Sequence, residues 1–377
     1  MGEGRSTGRV LVTGIKASGD PHLGNLVGMI RPTVAMAARH ESYVFVADLH
    51  ALTTVGDADA LRAHTHDVTA GLLAAGLDPL RSVLFRQSDI PEIPELAWTL
   101  ACLTPVGLLQ RAHAFKAATS EGRSATVGLF AYPILMAADI LAFRGELVPV
   151  GPDQQQHVEI ARDLARRFNG QYAPLFGLPE AHHGPGASVS LPGLDGRKMS
   201  KHYRNTIPLS SGARERRALV RRILTDSSGA SEPKDVASAP VADLFRAFAS
   251  EVDAEGFEVR LRQGSIGWRE AKDELADLLD REVGPIQRRF AELRADPDHL
   301  EQVLETGADR ARIRARETLE DVRALIGTGA PGRQAAAPVG TDALDEALEM
   351  TFPASDPTAV SPSRVRRGRP GARSRRV

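Results

Sequence analysis

The sequence has very little cysteine, since Cys102 is the only one among its 377 residues. A single cysteine excludes an intrachain disulfide, and without a Cys/His cluster a structural zinc site is not expected. Scarce cysteine is typical of a reducing compartment, so we predict a cytoplasmic protein.

Long apolar runs are also missing. No stretch of 18 apolar residues occurs, and the first residues lack the apolar core of a secretion signal. Membrane-spanning and secreted proteins are therefore not expected. The formal net charge of −1 provides no global field for a polyanion, so nucleic-acid binding would depend on local patches.

The first half of the chain alternates short apolar runs with helical patterns. Strand-like runs lie at 10–12, in "SYVFVADLHALT", in "SVLFRQS" and just before "GPDQQ". Such alternation predicts an α/β fold, a Rossmann-like doubly wound parallel sheet, in residues 1–205. A helical insertion is predicted at about 90–145, where "AYPILMAADILAF" has no strand pattern.

The second half has a different pattern. From 206 to 326 apolar residues recur at a spacing of three to four, which predicts an all-α domain. Residues 327–377 begin with a linker-like composition and end in "SRVRRGRPGARSRRV", which contains seven arginines and no acid. This end is predicted to be a disordered basic tail, with weak contact to nucleic acid as the alternative.

A Gly-rich turn, "GDPHLGN", separates the first strand from the first helix. The start of such a helix offers free backbone N–H groups to a phosphate, and Gly24 has no Cβ to hold a ligand away. Alone, His22, Gly24 and Asn25 are weak evidence for a phosphate site, and an ordinary turn with a helix cap is the favoured explanation.

A second loop, "LDGRKMSKH", contains Lys198 and Lys201. Two lysines on a loop are usually a solvated surface. Together with the His-x-Gly-Asn turn about 175 residues earlier, they indicate a site for a polyphosphate.

This pair of motifs resembles the signature of class I aminoacyl-tRNA synthetases. "LVTGIKASG", "AYPILMAADIL" and "VPVGPDQQQHVEIARDLARRFN" are similar to the tryptophanyl family of this class. The resemblance runs from about residue 10 to 326 and does not cover the tail. It implies ATP-dependent activation of L-tryptophan, transfer to tRNA(Trp), Mg²⁺ carried by the ATP phosphates, and anticodon binding by the helical domain. In that domain the expected phosphate contacts, with a solvated helix face as an equal alternative, are Arg214, Arg216, Arg217, Arg221 and Arg222. The resemblance also implies a homodimer with the insertion near its interface.

The resemblance further implies roles for individual residues. Those expected to act on the phosphates during catalysis are Lys198, Lys201, His22, Asn25 and Lys116. Those expected to bind ATP are Lys16, Ala17, Ser18, Gly24, Asn25, Gly151, Pro152, Asp153, Leu191, Lys198, Met199, Ser200, Lys201 and His202.

A tryptophan pocket is expected around one helix face. Tyr132, Met136 and Asp139 are spaced by four and three, which places them on the same side of a helix. Asp139 would accept the indole N–H; the alternative, a surface carboxylate, is disfavoured by its apolar neighbours. The further residues implied for this pocket are His50, Val12, Val148, Val150 and Gln154.

Four positions depart from the commoner residues of the family: Lys16, Pro152, Gln156 and His202. None removes a lysine that the chemistry needs, but together they allow an auxiliary or inhibitor-tolerant copy. Other functions considered are a tyrosyl enzyme, a nucleotidyltransferase of the same superfamily, a tRNA-independent adenylate-forming paralogue and an inactive paralogue that binds tRNA or a partner protein.

Overall fold

The computed structural model describes residues 8–111, 115, 126–151, 154–182 and 190–329. All of them fall within one compact unit, Met1–Ala336. The predictions for Lys116, Pro152, Asp153 and the tail from 330 onward lie outside the described residues.

Five parallel strands form one sheet in the order β3-β2-β1-β4-β5. The strands are β1 Val10–Lys16, β2 Glu41–Ala47, β3 Val83–Arg86, β4 Leu147–Pro149 and β5 Glu180–His182. The predicted doubly wound parallel sheet is thus confirmed. Strand β5 was not predicted, because its three residues at the sheet edge carry two polar side chains and no apolar run.

Helices connect the strands, as parallel pairing requires. The first, α1, covers 23–37 in three consecutive pieces: Leu23–Asn25, the π-helical Leu26–Ile30 and Arg31–Ala37. The next six are α2 Asp48–Ala51, α3 Ala58–Ala74, α4 Glu92–Cys102, α5 Val106–Gln110, α6 Val127–Leu141 and α7 Gln155–Gln171. Helices α4, α5 and α6 lie between β3 and β4, where the helical insertion was expected.

The later described residues form further helices: α8 Ala213–Arg221, α9 Pro240–Phe248, α10 Glu251–Arg262, α11 Trp268–Glu282, α12 Gly284–Arg294 and α13 Pro297–Ile326. The described residues also include three short 3₁₀ turns: Gln87–Asp89, Lys201–Tyr203 and Val236–Ser238.

Each face of the sheet has its own apolar core. Val44 and Val46 point to a cluster shared with α1, α3 and helices from the second half. Tyr43 and Phe45 point to the opposite cluster, shared with α4, α6 and α7. The alternation along β2 therefore places two helical layers around a central sheet.

The last of the described helices, α13, returns to the sheet. Its Leu300 and Leu304 belong to one core cluster, and its Ala308 belongs to the other. At Gly307 an added Cβ would lie 1.7 Å from the Leu84 carbonyl oxygen. Only glycine permits this contact between helix and strand backbones, so α13 covers the β3 edge of the sheet.

Among the described helices, none combines the length and apolar character needed to cross a membrane.

Candidate active site

The first signature loop forms a compact cap at the start of α1. The Asn25 backbone N–H donates to His22 Nδ1 at 3.3 Å, and the His22 backbone N–H donates to Asn25 Oδ1 at 3.1 Å. This reciprocal pair is a capping box built from histidine and asparagine. It leaves the Asn25 side-chain NH₂ and the second ring nitrogen of His22 for other partners.

Backbone hydrogen bonds hold the two signature loops side by side. Leu23 N–H donates to the Ile207 carbonyl at 3.0 Å, and Leu209 N–H donates to the Pro21 carbonyl at 2.7 Å. Lys201 Nζ reaches across to the Ser18 carbonyl at 3.2 Å. Motifs about 175 residues apart in sequence therefore share one face of the molecule.

Gly24 lies at the contact between these loops. An added Cβ there would meet the His22 ring at 3.0 Å and the Met199 Cβ at 3.5 Å. The glycine therefore makes room for neighbouring side chains of the protein itself. The sequence had suggested only a closer approach of a ligand.

His22 is neutral at physiological pH. Burial lowers its pKa to about 4, and the positive charge of Lys201 adds to the shift. Because Nδ1 accepts the Asn25 N–H, the neutral ring carries its proton on Nε2. His22 can thus offer an N–H donor without a charge.

Both lysines of the second loop are exposed to solvent, but their contacts differ. The Lys201 side chain packs against Gly19 and donates to the Ser18 carbonyl. Loss of hydration lowers the pKa of the Lys201 ammonium, opposed by Asp20 and Asp67. His202, the departure from the family pattern, is exposed in the turn that Lys201 begins.

Ser200, Met199 and Leu191 shape the same loop. Ser200 Oγ accepts the His202 backbone N–H at 3.3 Å, which caps the 3₁₀ turn. Met199 is buried, and its N–H donates to the Leu191 carbonyl at 2.8 Å. The carbonyl of Leu191, a predicted ATP-binding residue, thus already accepts one hydrogen bond within the loop.

The carboxyl end of β1 holds three predicted ATP residues. Lys16 Nζ donates to Thr53 Oγ1 at 3.0 Å, and its partial burial lowers the pKa of its ammonium. Ala17 is fully buried, and Ser18 follows it in a tight turn whose carbonyl receives Lys201.

Asp139 is fully buried on α6 and has two side-chain partners. His50 Nε2 lies 2.8 Å from its Oδ2, and Gln87 Nε2 donates to its Oδ1 at 2.7 Å. Burial raises the pKa of the Asp139 carboxyl, whereas the hydrogen bonds from His50 and Gln87 lower it. The alternative of a surface carboxylate is therefore wrong.

Tyr132 joins Asp139's surroundings to the start of α7. Its ring packs edge-on to His50 with 6.1 Å between centroids, and its hydroxyl hydrogen-bonds to His157 Nε2. His157 Nδ1 lies 2.9 Å from Gln154 Oε1, which can only accept, so the proton is on Nδ1 and Nε2 accepts from Tyr132. Gln154 N–H also bonds to the Gly151 carbonyl at 3.0 Å.

The predicted apolar wall belongs to one cluster. Val12 and Val148 are buried in the core beneath Asp139's side of the sheet, and Met136 and Val150 pack against that cluster while partly exposed. The four residues are thus on the same face of the sheet, with Met136 and Val150 nearer to solvent.

The sequence matches a known family across most of its length. The model of the class I tRNA synthetases for tryptophan and tyrosine matches residues 7–283. A protein of Bordetella parapertussis named tryptophan–tRNA ligase is 43% identical over 91% of this chain and 78% of its own. A Pseudomonas aeruginosa protein with the same name is 46% identical over 84% of this chain and 73% of its own. The chain belongs to the tryptophanyl-tRNA synthetase family.

Solved structures agree with this family. The tryptophanyl-tRNA synthetase of Campylobacter jejuni, complexed with ADP and tryptophan, has a TM-score of 0.78 and 38% identity over 84% of this chain and 99% of its own. The tyrosyl-tRNA synthetase of Archaeoglobus fulgidus, with a TM-score of 0.59, covers 75% of this chain and 90% of its own but is 20% identical, so it shares the fold alone.

Sequence reasoning missed Gln87 and Asn205, which hydrogen-bond to predicted site residues. Gln87 directly follows β3, at the same end of the sheet where His50 follows β2, and that position was a usable signal. Asn205 lies three residues beyond the quoted lysine loop, and nothing in the motif indicates its burial.

Asn205 connects both sides of the synthetase's lysine loop. Its Nδ2 donates to Asp195 Oδ1 at 2.6 Å and lies 3.2 Å from the Lys198 carbonyl. Its Oδ1 accepts the Ser200 backbone N–H at 2.8 Å, and its own carbonyl accepts Leu194 N–H at 2.9 Å. One buried amide therefore fixes the loop's backbone before and after Met199.

The arginines of α8 are mostly engaged within the synthetase. Arg216 is buried, and its guanidinium donates to Asp280 and to the Ser211 carbonyl, so the expectation that it contacts tRNA phosphates is wrong. Arg217 and Arg221 pair with acids of α11. The remaining two arginines of the predicted set, Arg214 and Arg222, are exposed.

Proposed function

We propose that this chain activates L-tryptophan with ATP and transfers the tryptophanyl group to tRNA(Trp). The observation that carries the proposal is the buried Asp139 carboxylate, held by His50 and Gln87 beside the apolar wall. The names of the relatives and of the solved tryptophan complex support it.

The first step is attack of the tryptophan carboxylate on the α-phosphorus of ATP, with pyrophosphate leaving. Negative charge moves onto the leaving phosphates, so preorganised donors lower the barrier. Lys198 and Lys201 supply charge from one loop; His22 Nε2–H and the Asn25 amide supply neutral donors from the other. Lys116 is a further proposed cation.

Mg²⁺ belongs to this proposal as a partner of the ATP phosphates. Among the described residues, no three His, Cys, Asp or Glu side chains are grouped to hold a metal ion. The signature loops present lysines, a neutral histidine and an amide, a set that fits phosphates and leaves the cation to the phosphate oxygens. When bound, Mg²⁺ neutralises part of the phosphate charge.

The rest of ATP is proposed to lie over the carboxyl ends of β1 and β4. Gly151 and Asp153 would bind the ribose, and Leu191 the adenine. Parallel sheets place their ligands in this position, outside the carboxyl ends of the strands.

The amino acid is proposed to lie with its indole on the apolar wall. Asp139 would accept the indole N–H, and Tyr132 with Gln154 would meet the ammonium group. Rejection of phenylalanine follows, because that ring would leave a buried carboxylate unpaired. A tyrosyl enzyme would need both an acceptor and a donor for the phenol hydroxyl. Asp139 could accept from that hydroxyl, but the surrounding Met136, Val12, Val148 and Val150 provide no donor to it.

The remaining parts of the chain are assigned to tRNA and to a second subunit. We propose that 1–205 is the adenylate-forming domain and 206–326 the anticodon-binding domain, with Arg214 and Arg222 available to phosphates. We also propose a homodimer, since Trp98, Val106 and Val127 of the insertion are 73%, 61% and 82% exposed. The single cysteine fits action in the cytoplasm.

The deciding experiment is ATP–pyrophosphate exchange with each of the twenty amino acids, followed by tRNA charging. We expect exchange with tryptophan alone and charging of tRNA(Trp). Exchange without charging would instead identify an adenylate-forming paralogue. Absence of exchange with every amino acid would overturn the proposal and favour an inactive paralogue that binds tRNA or a protein.

A further inference from the structure

Gln87 occupies a fully buried position at the carboxyl end of β3. Its side chain joins two separate elements. Nε2 donates to Asp139 Oδ1 on α6 at 2.7 Å, and Oε1 accepts the His50 backbone N–H on α2 at 3.3 Å.

The orientation of this amide follows from the chemistry of its partners. A backbone N–H can only donate, so the group facing His50 must be the amide oxygen. The NH₂ group therefore faces Asp139, and the carboxylate oxygen on that side must accept.

The two oxygens of Asp139 are thus held differently. Oδ1 accepts from Gln87, and Oδ2 lies 2.8 Å from His50 Nε2. An ionised carboxylate has about four lone-pair positions, so these contacts fix its plane and leave capacity for another donor. Asp48, which is also buried nearby, accepts backbone N–H groups of Leu49 and Ser88 and is occupied elsewhere.

We infer that Gln87 is a positioning residue for substrate choice: by donating to Oδ1 it holds Asp139 as an oriented acceptor for the indole N–H. This inference rests on the proposed function, because it requires tryptophan to bind beside Asp139. It extends that function by naming the residue that makes the carboxylate selective for an N–H donor.

A purely structural role for Gln87, tying β3 to α6, makes a different prediction. Loosened packing would weaken every substrate that uses the pocket. Loss of an oriented acceptor would weaken only a substrate that donates an N–H. A pair of amino acids differing in that one group separates the two roles.

The experiment uses the full chain, ATP–pyrophosphate exchange, and two substrates: tryptophan and β-(1-benzothiophen-3-yl)alanine, in which sulfur replaces the indole N–H. The variant is Gln87→Met, which keeps a similar length and removes both hydrogen bonds. We expect kcat/KM for tryptophan to fall about ten- to a hundredfold, as for loss of a hydrogen bond to a charged group. For the analogue, which has no N–H to donate, we expect kcat/KM to change by less than about threefold.

A second variant controls for the possibility that Gln87→Met misfolds. Gln87→Glu preserves shape and the acceptor for His50 but turns a carboxylate toward Asp139, and we expect it to reduce the preference for tryptophan at least as strongly. Gln302→Met on the exposed surface of α13 is the matched control and should leave both substrates unchanged. KM for ATP should stay close to wild type in all three variants.

The possible outcomes are distinct. A tryptophan-to-analogue ratio that Gln87→Met leaves unchanged would overturn the inference, whether both activities persist or both fall together. Wild-type protein that does not exchange with tryptophan would instead show that the proposed function has failed.

Discussion

The proposed choice of substrate depends on a single carboxylate, that of Asp139. Among the described residues, no lysine or arginine is in hydrogen-bond contact with the buried Asp139, and its stability as an anion depends on His50 and Gln87. Such a group is costly unless its hydrogen bonds are made. The presence of this carboxylate in an apolar cluster is explained if the N–H of a substrate supplies its remaining hydrogen bond.

Replacing Asp139 by alanine should therefore separate the two substrates. We expect Asp139→Ala to lower kcat/KM for tryptophan by about ten- to a hundredfold, while KM for ATP stays within about twofold. The measurement is exchange kinetics with each substrate varied in turn. Asp309→Ala, on the exposed face of α13, is the control; equal losses for tryptophan and ATP would mean that Asp139 is misplaced in the mechanism.

His22 should make stability depend on pH. Its pKa is lowered from 6.5 to about 4 in the folded chain, so between these values the unfolded state takes up a proton that the folded state refuses. The free energy of unfolding should fall as pH decreases from about 6.5 to about 4, by on the order of 1–3 kcal/mol. Urea unfolding across this range measures it, and His22→Gln should flatten the curve; an identical slope in the variant would contradict the assignment.

At the scale of elements, the lysine loop combines a backbone that is held in place with the exposed cationic side chain of Lys198. Lys198 is exposed at the end of a loop whose backbone is held by Asn205. Preorganisation of this kind is effective when charge develops only in the transition state.

Removing the exposed cation should affect rate more than binding. We expect Lys198→Ala to lower the rate of tryptophan activation by about a hundred- to a thousandfold, with tryptophan affinity within about twofold. Single-turnover activation and equilibrium binding give the two quantities. Lys272→Ala, on α11, is the control, and an unchanged activation rate would remove Lys198 from the reaction.

Loosening the backbone of the lysine loop should affect the kinetics with ATP. We expect Asn205→Ala to raise KM for ATP and to lower kcat, so that kcat/KM for ATP falls about tenfold or more. The reason is that several backbone groups of the loop lose their hydrogen-bond partner. Asn169 offers a close comparison, since its side chain likewise holds a loop, through Leu175 and Phe176, away from the signature loops. Asn169→Ala should reduce thermal stability with little effect on KM for ATP; the same kinetics in both variants would refute a specific role for Asn205.

Much of the candidate site could be predicted from local sequence patterns. The spacing of Tyr132, Met136 and Asp139 on one helix, and the position of His50 after a strand, could be predicted because each depends on neighbours in sequence. Gln87 follows β3 as His50 follows β2, so the same argument from strand ends could have identified it. Asn205 could not, because its burial depends on a turn and a loop that fold around it.

For the whole molecule, the sequence predicted a parallel sheet and a helical second half, but not how closely they are joined. Helix α13 continues the helical pattern of its predecessors, yet it packs on β3 through Gly307. Nothing in a glycine within a helix indicates which distant strand it meets. Contacts of this kind arise from packing between remote segments and have no local signature.

The proposed dimer can be tested with the only cysteine. Cys102 is exposed at the end of α4, one turn after the exposed Trp98. If the insertion forms a twofold interface, a spin label at Cys102 should give one well-defined intersubunit distance, and Trp98→Glu should convert the dimer to monomer. Light scattering and dipolar spectroscopy measure the two effects; a monomeric wild type, or a Trp98→Glu dimer, would place the interface elsewhere or remove it.

The docking of α13 on the sheet also bears on how the chain is made. Strand β3 ends at Arg86 and its cover begins at Pro297, about 210 residues later. At roughly 5–20 residues per second, a ribosome needs about 10–40 seconds to supply that stretch. For this time the nascent sheet has an open edge, which is a template for pairing with other chains. Synthesis that stops before α13 emerges should therefore yield aggregates, and the growing chain should depend on chaperones until α13 is released.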